Sequence, residues 1–217
     1  ALWHFDLIDS KRWPKLTPLP VFRRVVVSLD PAVSAGENSD ETGIVVAAID
    51  GNGFAHVLED LSGKFSPEKW GRIAIQAYHR WKGDRIIGEA NNGGDMIGAV
   101  IHQIDPNVPF KAVKASKGKF TRAEPVAALY EQGRVHHAQV FTKLEEQMCS
   151  FTPDIDRDAY GSPDRVDALV WALWELIVEN QSTGLLEFYR RENERALAER
   201  EGRVLDRIDD GAERSAA

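Results

Sequence analysis

Apolar residues are distributed along the chain in three kinds of pattern, and each predicts a different element. The first is a short unbroken run. Val25-Val26-Val27-Ser28-Leu29 is apolar and mostly β-branched, with one small Ser, and such a run reads as a strand buried on both faces. Asp30 and Pro31 end it, because proline has no N–H to offer a ladder. Gly43-Ile44-Val45-Val46-Ala47-Ala48-Ile49-Asp50 repeats the pattern. A turn signal, Gly51-Asn52-Gly53, leads to a third strand over 54–60. Connections this short make the three an antiparallel meander. Further strands are expected at 84–89, which also ends in a carboxylate, Glu89, and at 110–113 and 134–137.

The second pattern has the helical period. Trp70, Ile73, Ala74, Ala77, Tyr78 and Trp81 recur at that spacing behind Ser66-Pro67-Glu68, a good helix start. Helices are also expected over 95–103, over 121–132, where Thr121 and Glu124 have the capping-box spacing, and over 141–151. In the third pattern a helix is apolar nearly all round. Ser162-Pro163 opens it, Asp164, Arg165 and Asp167 charge its first turns, and the rest to Trp174 is almost wholly apolar. Such a helix is buried against a sheet.

Three meandering strands followed by alternating helices and strands predict an α/β fold, a mixed central sheet flanked by helices. This domain is expected over 21–180. Residues 1–20 carry Pro14, Pro18 and Pro20 among Trp3, Phe5, Leu7, Ile8 and Trp13. They read as a linker on the domain surface, from an absent N-terminal domain. Residues 181–217 are dense in Arg, Glu and Asp, which reads as a charged helix or tail.

Composition narrows the classes. The 217 residues, 43% hydrophobic, suffice for one good-sized core. The chain starts at Ala1 rather than Met, as an excised domain would. A net charge of -7 carries no global nucleic-acid signature, yet an acidic mean leaves room for a basic face. The single cysteine, Cys149, excludes an internal disulfide framework and fits a reducing cytoplasm. No apolar run has membrane length and no signal-peptide pattern occurs, so no membrane partner is expected. No G-x-x-x-x-G-K-[ST] phosphate loop is present, so a Walker-type ATPase site is absent.

The candidate chemistry lies in the acids. Asp30 ends the first strand, Glu89 ends the fourth, and Asp164 and Asp167 share one face of the last helix. Taken singly, each has a bland reading: a loop cap for Asp30, helix-entry acids for Glu89 and Asp164, a polar face for Asp167. Were the first and fourth strands neighbours, with the helix arriving at the same edge, the four would converge. Carboxylates gathered in a dry cleft repel one another, and divalent cations relieve the repulsion. An all-oxygen donor set suits Mg²⁺ or Mn²⁺ rather than Zn²⁺. Two such ions about 4 Å apart promote phosphodiester hydrolysis.

A second signal is local charge. Lys111, Lys114, Lys117, Lys119, Arg122, Arg134 and Lys143 face only Glu124 and Glu131 over that span. The segment Lys114-Ala115-Ser116-Lys117-Gly118-Lys119 reads as a basic loop able to hold DNA phosphates, or as an ordinary solvated loop. His136 and His137 read as structural or exposed rather than as ligands.

Several pieces together resemble a known family. They are Val25-Val26-Val27-Ser28-Leu29-Asp30-Pro31-Ala32, Asp40-Glu41-Thr42-Gly43-Ile44, Gly88-Glu89-Ala90-Asn91-Asn92-Gly93-Gly94-Asp95, Lys117-Gly118-Lys119-Phe120-Thr121-Arg122-Ala123, and the stretch from Ser162-Pro163-Asp164-Arg165-Val166-Asp167 to Ala172. In this order, over about 22–176, they resemble the C-terminal nuclease domain of the large terminase subunit of tailed phages and gene transfer agents. The resemblance implies a ribonuclease-H-like fold and a two-metal (Mg²⁺ or Mn²⁺) endonuclease. It implies cutting of double-stranded DNA concatemers during packaging, with little sequence preference. It assigns the metals to Asp30, Glu89 and Asp164, with Asp167 as the second helix acid of related resolvases. Lys117, Lys119 and Arg122 are the expected DNA-binding residues. The implied partners are the terminase ATPase domain of the same full-length chain, the small terminase subunit and the portal, in the cytoplasm of a bacterial host or producing cell. Rival readings are a Holliday-junction-resolvase-like nuclease, an actin- or sugar-kinase-like ATPase, and a non-catalytic DNA- or portal-binding module.

Overall fold

The unbroken apolar runs form the centre of a six-stranded mixed sheet. In the computed structural model, residues 1–31, 41–90, 96–153 and 162–178 are described. The strands are β1 (Phe22–Asp30), β2 (Gly43–Asp50), β3 (Ala55–Asp60), β4 (Arg85–Glu89), β5 (Phe110–Val113) and β6 (Val135–His137), in the spatial order β5-β4-β1-β2-β3-β6. The expected meander is present, since β1 pairs antiparallel with β2 and β2 with β3. β4 lies parallel beside β1, β5 parallel beside β4, and β6 parallel beside β3. Parallel neighbours require crossovers, which the helices supply.

The helices are α1 (Phe5–Ser10), α2 (Pro67–Arg80), α3 (Met96–Ile104), α4 (Lys119–Glu131), α5 (Thr142–Ser150) and α6 (Asp164–Leu173), which continues as a π-helical turn, Trp174–Val178. Side chains of a strand alternate between faces, and the core divides accordingly. Val25, Val27 and Leu29 of β1 pack with Trp70, Ala74, Ile97 and Ile101 of α2 and α3. Val26, with Val45 and Ala47 of β2, packs with α4, α5 and α6. All ten residues of α6 are buried, as its all-round apolar character predicts. Full burial of Leu169 and Leu173 contributes about 1.5–3 kcal/mol apiece.

Two expectations need correction. The helix expected to begin at Thr121 begins at Lys119 instead: the N–H of Arg122 already donates to the Gly118 carbonyl at 3.0 Å. Thr121 therefore lies inside the first turn and caps nothing. The N-terminal segment is also more than surface wrapping. Trp3 and Ile8 are fully buried in the core beneath α4 and α5, where Trp3 meets Tyr130 edge-on, with ring centroids 6.1 Å apart. The loop expected at 32–42, the turn after Glu89, the acidic loop with Asp154, Asp156 and Asp158, and the charged stretch 181–217 lie wholly or mostly outside the described residues.

Candidate active site

The strand register builds the site. Leu29 of β1 stands opposite Gly88 of β4. Asp30 and Glu89, one residue further on, therefore end neighbouring parallel strands on the same face. That face is covered by α6, which runs antiparallel to β1. Its first turn sits over the carboxyl ends of both strands, and its far end reaches Arg24 at the start of β1 through Glu175. Asp164 and Asp167 thus arrive beside Asp30 and Glu89, and all four carboxylates are at least nine-tenths buried.

Three contacts hold the first turn of α6 in place, and none was legible as such in the sequence. Gly43, paired with Asp30 across β1–β2, has no side chain to keep the helix away; a Cβ there would stand 2.0 Å from the Asp164 carbonyl oxygen. Arg165 is buried and donates to Glu41 at 2.8 Å, to Asp60 at 2.5 Å and to the Ser62 carbonyl at 3.1 Å. The Gln147 amide oxygen accepts from the Val166 N–H at 3.0 Å, and its NH₂ donates to the Ser162 carbonyl at 3.2 Å. The available signal was Arg165 itself: a charge inside a helix buried all round requires buried partners.

The electrostatics follow from crowding. Burial raises the Asp30 carboxyl well above the ordinary carboxylate range. The negative charges of Asp167, Asp164 and Glu89 push it further, and Lys119 opposes them. Asp167 is also raised, by burial and by Glu89, against Lys119 and Arg122. Burial would lower the Lys119 ammonium, but Asp167, Asp30 and Asp164 outweigh it and raise it. Two of the three expected DNA-binding residues are therefore turned inward. Lys119 donates to Asp167. Arg122, only 4% exposed, reaches Glu89 at 3.3 Å and Asp167 at 3.5 Å, and lies over the Trp171 ring at 4.6 Å. Lys117 is exposed; its backbone carbonyl accepts from Arg122 at 2.8 Å. Trp171 completes the shell by donating its indole N–H to Glu89 at 2.8 Å.

Four convergent carboxylates against two cations leave an acidic surplus of oxygen donors, the donor type and charge that hard divalent ions need. The residues fit such ions in chemistry. Among the described residues, however, no group of three acidic, histidine or cysteine side chains already stands arranged to hold one. His136 and His137 are far from the acids, on the edge strand β6. His136 meets the Lys11 carbonyl at 2.7 Å, and His137 is buried between Tyr130 and Glu145.

Residues 27–176 match the family model described as the terminase RNaseH-like domain. The chain belongs to that family. Solved structures share the fold. The large terminase nuclease of thermophilic phage G20c is 13% identical with a TM-score of 0.53, over 77% of this chain and 96% of that one. A mutant nuclease domain of large terminase subunit gp2 of bacterial virus Sf6, with manganese and beta-thujaplicinol, is 11% identical with a TM-score of 0.56, over 80% and 98%. The large terminase of bacteriophage D6E is 13% identical with a TM-score of 0.58, over 82% of this chain. This chain spans only 44% of that protein. No curated protein matches in sequence.

Proposed function

We propose that this domain is the metal-dependent endonuclease of a large terminase subunit, hydrolysing phosphodiester bonds of double-stranded DNA concatemers during genome packaging with little sequence preference. The observation that carries this reading is the convergence of Asp30, Glu89, Asp164 and Asp167 at the carboxyl ends of β1 and β4. These four carboxylates would hold two Mg²⁺ or Mn²⁺ ions. A manganese-bound Sf6 domain and a zinc-bound G20c nuclease among the structures of this fold are in keeping with a divalent ion. When bound, such ions supply an activated water and stabilise the leaving oxygen of an in-line displacement.

The chain's own residues do the rest. Trp171 and Arg122 orient Glu89 by hydrogen bonding. Lys119 and Arg122 offset part of the acidic charge in the free protein and become available to the scissile phosphate as it approaches. Lys117, at the exposed mouth, takes a flanking backbone phosphate. Among the described residues no side chain is positioned as a base-reading element, which favours cutting with little sequence preference.

The implied partners are the ATPase domain of the same full-length chain, the small terminase subunit and the portal, in the cytoplasm of the producing cell. The ATPase partnership accords with the greater length of the D6E large terminase. Residues 1–20 would then be the linker to that domain.

The test is plasmid digestion with Mg²⁺ or Mn²⁺. Asp30→Ala is expected to slow cutting about a thousandfold, since about 4 kcal/mol of transition-state stabilisation goes with the ion. Equal rates for variant and parent overturn the assignment. DNA binding that ignores chelator, without any cutting, would make the domain a binding module instead.

A further inference from the structure

A cavity of about 390 Å³ lies beside the acid cluster, and the hydrolytic chemistry leaves it unused. Its walls are Trp171 and Trp174 from α6 and its π-helical continuation, Arg122 from α4, and Lys111, Lys114 and Lys117 from β5 and the loop after it. The volume falls within the range of about 300–1,000 Å³ typical of small-molecule sites. Trp171 is shared with the active site through its hydrogen bond to Glu89, so whatever fills the cavity sits next to the reacting phosphate.

The lining specifies a chemistry. Both indole N–H groups are already used, Trp171 on Glu89 and Trp174 on the Arg122 carbonyl at 2.8 Å. Trp171 is buried with Arg122 already over its ring, so the ring surface open to the cavity belongs chiefly to the half-buried Trp174. Four cations line the same space against one carboxylate, Glu175, which is buried and ion-paired to Lys111 at 2.7 Å and to Arg24. Lys114 and Lys117 are exposed at the mouth. Ring faces together with a cationic rim, on a chain whose net charge is -7, match an aromatic anion. A base stacks on aromatic side chains whatever its identity, and its phosphate meets lysine. A fully paired duplex keeps its base faces stacked inside the helix and offers none to the side.

We propose that the cavity receives one unpaired nucleotide of the DNA strand lying across the acid cluster, its base against Trp174 and its phosphate toward Lys114 and Lys117. The inference rests on the nuclease reading for the identity of the polymer, but the cavity is tested separately from cutting. Affinity is measured with the full chain in EDTA, by fluorescence anisotropy, for three labelled DNA hairpins. One is fully paired, one carries a single unpaired nucleotide, and one carries an abasic residue at the same position. The unpaired nucleotide is expected to tighten binding about tenfold over both of the others, the gain typical of one stacked base. Trp174→Leu is expected to erase that gap, and Lys114→Glu to weaken all three hairpins alike.

Equal affinity for the unpaired and abasic hairpins overturns the proposal, and this comparison needs only the parent protein. Displacement by thymidine monophosphate without any preference among the hairpins also overturns it, in favour of a site for free nucleotides. Mn²⁺-dependent plasmid cutting without a base-dependent gap sinks the cavity alone. A base-dependent gap without cutting sinks the nuclease reading alone.

Discussion

Two buried polar clusters flank the same sheet and balance their charges in opposite ways. Under the edge strand β6, Glu145 accepts from His137 Nδ1 at 2.8 Å, from the Phe141 N–H at 3.1 Å and from both Arg12 Nη atoms at 2.8 and 3.0 Å. A carboxylate only accepts, so His137 carries its proton on Nδ1, and its Nε2 accepts from the Tyr130 hydroxyl at 2.8 Å. Burial alone would raise Glu145, but these hydrogen bonds outweigh it and hold the carboxyl at about 2. At the ends of β1 and β4, four carboxylates share Lys119 and Arg122, and Asp30 and Asp167 are pushed up instead. The first cluster saturates its one acid and anchors the N-terminal segment. The second leaves acid in surplus, which costs stability and creates an appetite for cations. Burial is common to both, so the ratio of donors to carboxylates is what separates a saturated network from one with carboxylate to spare.

The sharpest way to test this contrast is to remove the saturated anchor that stands beside the acid-rich cluster. Arg165→Ala leaves Glu41 and Asp60 without their guanidinium and frees the first turn of α6. It is expected to cost about 3–5 kcal/mol in urea unfolding and to abolish Mn²⁺ binding with it.

Glu145→Gln comes next, at about 2–3 kcal/mol, since Arg12 loses its buried counter-charge. Its pH signature follows from the depressed pKa. Stability from Glu145 is fully present above its ordinary value of 4.5 and is lost as pH falls from there toward 2. Thermal melts across that interval should slope in the parent and flatten in the variant.

Asp30→Asn should act with the opposite sign and smaller size. Asp30 is raised in the folded state, so its penalty is absent below 3.8 and grows as pH climbs from there toward the folded value. In chelator at neutral pH the variant is expected to be more stable than the parent by about 1 kcal/mol. Mn²⁺ should raise the melting temperature of the parent and leave the variant unmoved, and EDTA should reverse the gain. A parent that melts identically with and without Mn²⁺ would break the comparison.

The smallest effect belongs to an exposed cation outside both clusters. Lys117→Ala should shift stability by less than about 0.5 kcal/mol. It should lower the slope of log affinity for DNA against log salt by about one, as expected for a single phosphate contact.

Legibility in the sequence followed the range of the interactions. The apolar run before Asp30, the short strand before Glu89 and the apolar helix behind Asp164 were all readable, because side-chain period and strand ends are local properties. The same local logic failed at Thr121. Its capping-box spacing was present, but the backbone of Gly118 had already started the helix. It was silent on what Arg122 touches in the folded chain: Glu89, 33 residues away, and Asp167, 45 residues away.

By itself the sequence determined where most strands and helices lie and which carboxylates stand at their ends, because each of these is written within about ten consecutive residues, and the order of those pieces along the chain carried the family resemblance. Only the tertiary structure decided that the carboxylates meet, that Gly43 admits the first turn of α6 to within reach of Asp30, and that Trp171 and Trp174 wall a basic cavity beside Glu89. Those outcomes depend on pairing register and on contacts between segments more than a hundred residues apart, such as Gly43 with Asp164. Their energies exist only once the sheet has assembled.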